Sequence, residues 1–197
     1  GSGAITFGNT LNGAQTLAVN TSGNTTFTGA VGGTVALTSL TTDAGGTVVI
    51  NGGVVNTTGA QSYGEAVILG AATTLTSTGS GAITFGNTLN GAQTLAVNTA
   101  GATTFTGAVG DTTALTSLTT DAGGTVAING GVVNTTGAQS YGDALSLGAN
   151  TVLTSTGAGD ITLGATVNGA YALAVNTTGT TTLGGAVGGT VALTSLT

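Results

Sequence analysis

A 78-residue unit written two and a half times over is the feature that most limits what this chain can fold into. Residues 1–78 and 79–156 align without a gap and differ at 10 positions, and residues 157–197 match 1–41 with 11 differences. Units this alike, none with a core composition of its own, point to an array in which each packs on the next. The expected organisation is a single continuous segment, 1–197, made of units 1–78, 79–156 and a partial 157–197, taken from a longer protein. Gly1-Ser2-Gly3 returns in phase as Gly79-Ser80-Gly81 and so belongs to the repeat.

Inside the unit runs a finer rhythm of β-prone triplets: Ile5-Thr6-Phe7, Thr25-Thr26-Phe27, Val48-Val49-Ile50 and Val67-Ile68-Leu69. The series resumes at Ile83, Thr103, Val126 and Leu145, and closes with Ile161-Thr162-Leu163 and Thr181-Thr182-Leu183. Steps between triplets are 20, 23, 19 and 16 residues, and then recur. Val, Ile, Thr and Phe favour strands, and the Gly, Asn and Asp between them form turns. No apolar stripe of helical period survives the 38 glycines. Further strands are expected around residues 16–21, 36–41, 54–58 and 73–78. The predicted fold is all-β: a right-handed parallel β-helix, or β-solenoid, of about ten coils of roughly 20 residues with a 78-residue higher-order repeat. Coils spaced by about 4.8 Å would place successive units about 19 Å apart along the axis, related by translation alone.

Differences between copies indicate which way the triplets face. The third position is always large and apolar (Phe7, Phe27, Ile50, Leu69 and their equivalents), as an inward stack requires. The middle position drifts, Val49 becoming Ala127 and Ile68 becoming Ser146, as an outward one can.

Composition removes whole classes of chemistry. The chain has no Lys, Arg, His, Cys, Pro, Met or Trp, and only six acids. Without imidazole or thiolate it has neither the usual base nor the usual nucleophile, and no zinc site of the common kind. Without Lys or Arg nothing neutralises phosphates, so no nucleic-acid partner is expected. The longest apolar run, Ala66 to Leu69, is far below the roughly 18 residues of a transmembrane segment.

The segments Gly3 to Gly8 (GAITFG), Leu11 to Thr21 (LNGAQTLAVNT) and Ala36 to Gly46 (ALTSLTTDAGG) resemble the repeats of large bacterial filamentous-haemagglutinin-like exoproteins and autotransporter passengers. The resemblance implies a right-handed parallel β-helix, export across an outer membrane to the bacterial cell surface, and a structural or adhesive role in an extracellular fibre or matrix filament. It maps no binding residue onto this chain.

The acids are the remaining ionisable side chains of interest. Asp43 and Asp121 are equivalent, as are Glu65 and Asp143, and each lies in a Gly-containing turn just before a triplet. They are candidate calcium ligands, against the alternative that they only hold local backbone N–H groups. Two acids per unit fall short of the six to eight oxygens calcium takes, so the reading assigns no metal, no cofactor and no catalytic residue. Acids that repeat with the scaffold do not make one unique glycosidase centre, so no enzyme activity is expected. Asp111 and Asp160, which stand where other copies carry Gly33 and Ala4, read as solvated variation. The threonine-rich outer strands raise an ice-binding alternative, although the row Thr6, Thr26, Val49, Ile68 is broken. Tyr63, Tyr141 and Tyr171 raise a glycan-binding one, although equivalent rings 78 residues apart argue against a contiguous aromatic platform. Asn20, Asn98, Asn176, Asn51 and Asn129 read as turn formers. Open strand edges without Lys, Arg or Pro to guard them suggest self-association into filaments, end to end or laterally.

Overall fold

The computed structural model describes all residues, Gly1–Thr197, as 24 short strands without a helix. Every pairing is parallel, and strands hydrogen-bond to partners one turn along the chain, which is the β-solenoid expected from the sequence. Three strand stations make one turn, so the rod has three flanks. The first carries Ile5–Phe7, Thr25–Phe27, Thr47–Ile50, Ala66–Leu69 and Leu89–Asn90, and continues through Val109 into Val132–Thr135, Thr151–Ser155, Ala172–Asn176 and Ser195–Leu196. The second begins at Leu11 and Val31 and runs from Val54–Thr57 to Thr181–Leu183. The third runs from Thr16–Val19 to Val167–Asn168.

The ten triplets are not ten levels of one ladder. On the first flank the ladder reads Ile5, Thr25, Val48, Val67 and then Leu89, Val109, Val133, Leu153 and Val175. Ile83 stacks instead on Gln61, on the third flank. The 16-residue step is therefore a move to the next but one flank within the same turn, and the chain makes about nine turns of about 22 residues rather than ten of 20. Each unit contains eleven stations, and eleven is not a multiple of three. Successive units are thus turned by a third of a revolution: Ile5–Phe7 on the first flank, Ile83–Phe85 on the third, Ile161–Leu163 on the second. The expected pure translation becomes a screw of three and two-thirds turns, about 18 Å along the axis.

Period-two alternation holds through the middle of the rod, where three-residue strands such as Thr25–Phe27, Ile83–Phe85 and Ile161–Leu163 bury both ends; at the extremities Ile5–Phe7 is half-buried and Thr181–Leu183 is exposed. Phe27, Ile50, Phe85, Phe105 and Ile128 are buried, while Ile68 and Ser146 face out. One core of 32 buried apolar residues fills the rod. Aromatic rings stack along it, Phe7 on Phe27 at 5.2 Å, Tyr63 on Phe85 at 5.4 Å and Phe85 on Phe105 at 5.2 Å between centroids.

Coil length varies because residues 32–36 are extruded. Val31 and Leu37 both bridge to the strand Val54–Thr57, at Val55 and Thr57, so one partner residue spans five. Asn12 holds the extruded loop, its Oδ1 accepting the N–H groups of Thr34 at 2.9 Å and Val35 at 3.2 Å. Asn90 and Asn168 do the same in the later units. Gly32 opens the loop at φ 67°, and a Cβ there would overlap the Asn56 carbonyl oxygen; no other residue fits both demands.

Candidate functional site

The repeated acids sit where one flank turns into the next. Asp43 follows the third-flank strand Ser39–Thr42, and Glu65 follows Gln61–Tyr63 one turn later. Thr42 pairs with Tyr63, so the register sets the two acids at the same corner on adjacent turns. Asp121 and Asp143 repeat the arrangement at the corner between the second and third flanks, one third of a revolution away.

The two members of each pair have different surroundings. Asp43 is half-buried, and its Oδ1 accepts the Thr21 N–H of the preceding turn at 3.0 Å; Asp121 does the same for Thr99 at 3.0 Å. These two behave as the turn-holding acids of the sequence reading. Asp143 is 2 % exposed; its Oδ1 accepts the Gly124 N–H at 2.7 Å, while its Oδ2 is buried without a partner. Glu65 is 1 % exposed, and neither carboxylate oxygen has a hydrogen-bond partner. One methylene explains the contrast: the longer side chain carries its oxygens past the backbone donor that Asp143 meets.

Burial first, and then the nearby Asp43 charge, push Glu65 from 4.5 up to about 6. Burial likewise raises Asp143, with Asp121 adding to it and the Gly124 N–H and the Thr120 hydroxyl acting against it. No side chain in the molecule carries a positive charge to answer these carboxylates. Each pair stands without a third acid, imidazole or thiolate. Asp160 is exposed and accepts the Thr180 N–H at 2.7 Å, and Asp111 is exposed on an extruded loop.

The tyrosines do not form a platform for sugar rings. Tyr63 and Tyr141 are wholly buried, each hydroxyl donating to a buried glutamine: Gln61 Oε1 at 2.9 Å and Gln139 Oε1 at 3.0 Å. Burial drives both phenols far above their ordinary range. Gln61 Nε2 in turn donates to Val55 O at 3.2 Å, Thr57 Oγ1 at 3.3 Å and Thr76 O at 3.0 Å. Only Tyr171 is exposed. The sequence held a signal for this, since Gln-Ser-Tyr alternates in, out, in; the strands Gln61–Tyr63 and Gln139–Tyr141 were nevertheless absent from the expected set.

Outward threonines form short rows. Thr41, Ser62, Thr84 and Thr104 stack on the third flank, and their equivalents Thr119, Ser140, Thr162 and Thr182 stack on the second. Ala127 and Ala96 interrupt them, because the one-third rotation brings a different stretch of the repeat onto the flank. Other threonines point inward and tie corners together. Thr57 Oγ1 and Ser77 Oγ both donate to Gly59 O, at 2.6 and 2.8 Å, and Ser77 Oγ accepts the Gly81 N–H at 2.9 Å. Asn12, Asn56, Asn90, Asn134, Asn150 and Asn168 make side-chain hydrogen bonds to the neighbouring turn, and Asn87 accepts the adjacent Thr88 N–H, rather than the five asparagines expected from the turn motifs.

A shallow apolar hollow lined by Val175, Thr181, Leu183, Leu196 and Thr197 lies at the last turn. No helix is long and apolar enough to cross a membrane. Comparison with protein-family models, curated proteins and solved structures gave no match.

Proposed function

We propose that this chain is a structural and adhesive stretch of an extracellular bacterial fibre, a spacer or matrix filament on the cell surface. One observation carries the reading. Eleven stations on three flanks carry every exposed feature of the repeat round the axis. A rod of this kind gains length and repeated presentation from each added unit, whereas a single recognition site would need one unit to differ from the rest. The extruded loops at residues 32–36, 110–114 and 188–192 follow this rotation, and Val35 and Val191 at their tips are about half exposed. Apolar tips on two of the three loops, with Thr113 at the third, on a chain with a formal net charge of only −6, favour lateral association between rods. The resemblance of the repeats to filamentous exoproteins supports the surface location.

Antibodies against the 32–36 loop, applied to intact producing cells, test the reading. Surface labelling, together with weaker attachment or matrix retention when the gene is deleted, is the expected result. Labelling that appears only after the cells are permeabilised overturns it.

A further inference from the structure

We infer that the Asp43–Glu65 corner, and its repeat at Asp121–Asp143, binds a hard divalent cation of the calcium class. The Glu65 carboxyl group is 1 % exposed, neither oxygen has a hydrogen-bond partner, and the Thr42–Tyr63 register sets it at the same corner as Asp43 on the adjacent turn. Thr42, beside Asp43 in the chain, is 2 % exposed, and its Oγ1 also lacks a partner. Asp43 commits one oxygen, Oδ1, to the Thr21 N–H and keeps Oδ2 free of that bond. By register, one corner thus carries both Glu65 oxygens, Asp43 Oδ2 and the Thr42 hydroxyl, and neither Glu65 oxygen meets a donor. The second corner repeats the set with Asp143 Oδ2 buried and unpartnered and the Thr120 hydroxyl beside that carboxylate.

A buried carboxylate with a second, half-buried carboxylate at the same corner needs a positive partner. The side chains provide none, since the molecule has no Lys, Arg or His, so the partner comes from solution as a metal ion or a proton. Carboxylate and hydroxyl oxygens suit calcium or magnesium rather than a soft metal, and water completes the six to eight positions calcium takes. A repeat that places one such pair every 78 residues would load the rod with one ion per unit, each turned by a third of a revolution from the last.

Calorimetric titration of the full chain with calcium chloride after chelator treatment at pH 7.5, paired with thermal melting, tests the site. Expected are two saturable sites per chain and a Tm raised by about 10–20 °C with calcium at a hundredfold excess over Kd. The double change Asp43→Asn with Glu65→Gln should remove one site and leave the other. Asp121→Asn with Asp143→Asn should do the converse. Absence of saturable uptake by the unaltered chain overturns the inference whatever the variants do. So does equal stabilisation by sodium chloride at matched ionic strength, or a Tm that responds to acidification but not to calcium, which would assign the pair to a shared proton.

Discussion

The buried Gln61–Tyr63 pair allows a double-mutant cycle whose outcome follows from the hydrogen bonds. Tyr63→Phe removes the hydroxyl and leaves Gln61 Oε1 without its 2.9 Å donor in the core. An orphaned buried acceptor costs about 1.5 kcal/mol. Gln61→Leu orphans the Tyr63 hydroxyl, for about 1.5 kcal/mol, and strips one donor each from Val55 O, Thr57 Oγ1 and Thr76 O. Thr57 Oγ1 still donates to Gly59 O, so the three together add about 1.5 kcal/mol more. If the sites were independent, the double variant would lose about 4.5 kcal/mol. Instead, with both polar partners gone, neither orphan remains and the loss should be about 1.5–2 kcal/mol, a coupling of about 2.5–3 kcal/mol. Equilibrium urea unfolding followed by far-ultraviolet circular dichroism reads this directly, provided the m-value stays constant across the four proteins. The same cycle at Gln139 and Tyr141 should give the same coupling within about 0.5 kcal/mol, although that pair lies on a different flank. Additive losses at both places would refute the argument that the amide and the phenol are kept to satisfy one another.

Four further outcomes are expected. Thr25 and Thr103 bury hydroxyls without partners, so Thr25→Val and Thr103→Val should each stabilise the rod by about 1 kcal/mol, seen as a higher urea midpoint. Gly32→Ala should cost about 2 kcal/mol or more, because the new Cβ meets the Asn56 carbonyl at a positive φ; an unchanged midpoint would count against the extruded-loop geometry. In chelator, Glu65 protonates near 6 in the fold against 4.5 when unfolded, so its contribution is full below 4.5 and is lost as pH rises through 6. Thermal melts across that range should show this fall, and Glu65→Gln should flatten it. In a chain extended to four units, electron cryomicroscopy should find flank identity restored only after three units and eleven turns, about 53 Å along the axis.

Much of the inside-outside pattern was legible in the chain itself. Copies that keep Phe, Ile or Leu at the third place of each triplet while exchanging Ile68 for Ser146 mark one face as crowded and the other as free. The turn role of Asp43 and Asp121 was equally open to reading, since a short acid beside glycines has backbone N–H groups within reach. The burial of Tyr63 was not legible, for a physical reason. A tyrosine is amphipathic, and whether its hydroxyl can go inside depends on a partner, Gln61, whose own burial shows only once the neighbouring turns are stacked.

Sequence alone thus determined the β class, the stacking of like on like, the alternation within strands and the lack of any cationic side chain. Those properties are local, set by residue type and by spacing of one or two positions. Tertiary structure decided how many stations close a turn. Ile83 follows Val67 at an interval near enough to a coil to pass for one, yet it rests on Gln61. An in-out-in strand reads the same on any of three flanks, so nothing local distinguishes the next strand of a ladder from the next strand of a turn. Only the pairing of backbones between turns, with loops such as 32–36 extruded to keep it in register, sets the count of three. From that count follow the one-third rotation of each unit, the broken threonine rows and the meeting of Asp43 with Glu65 at one corner.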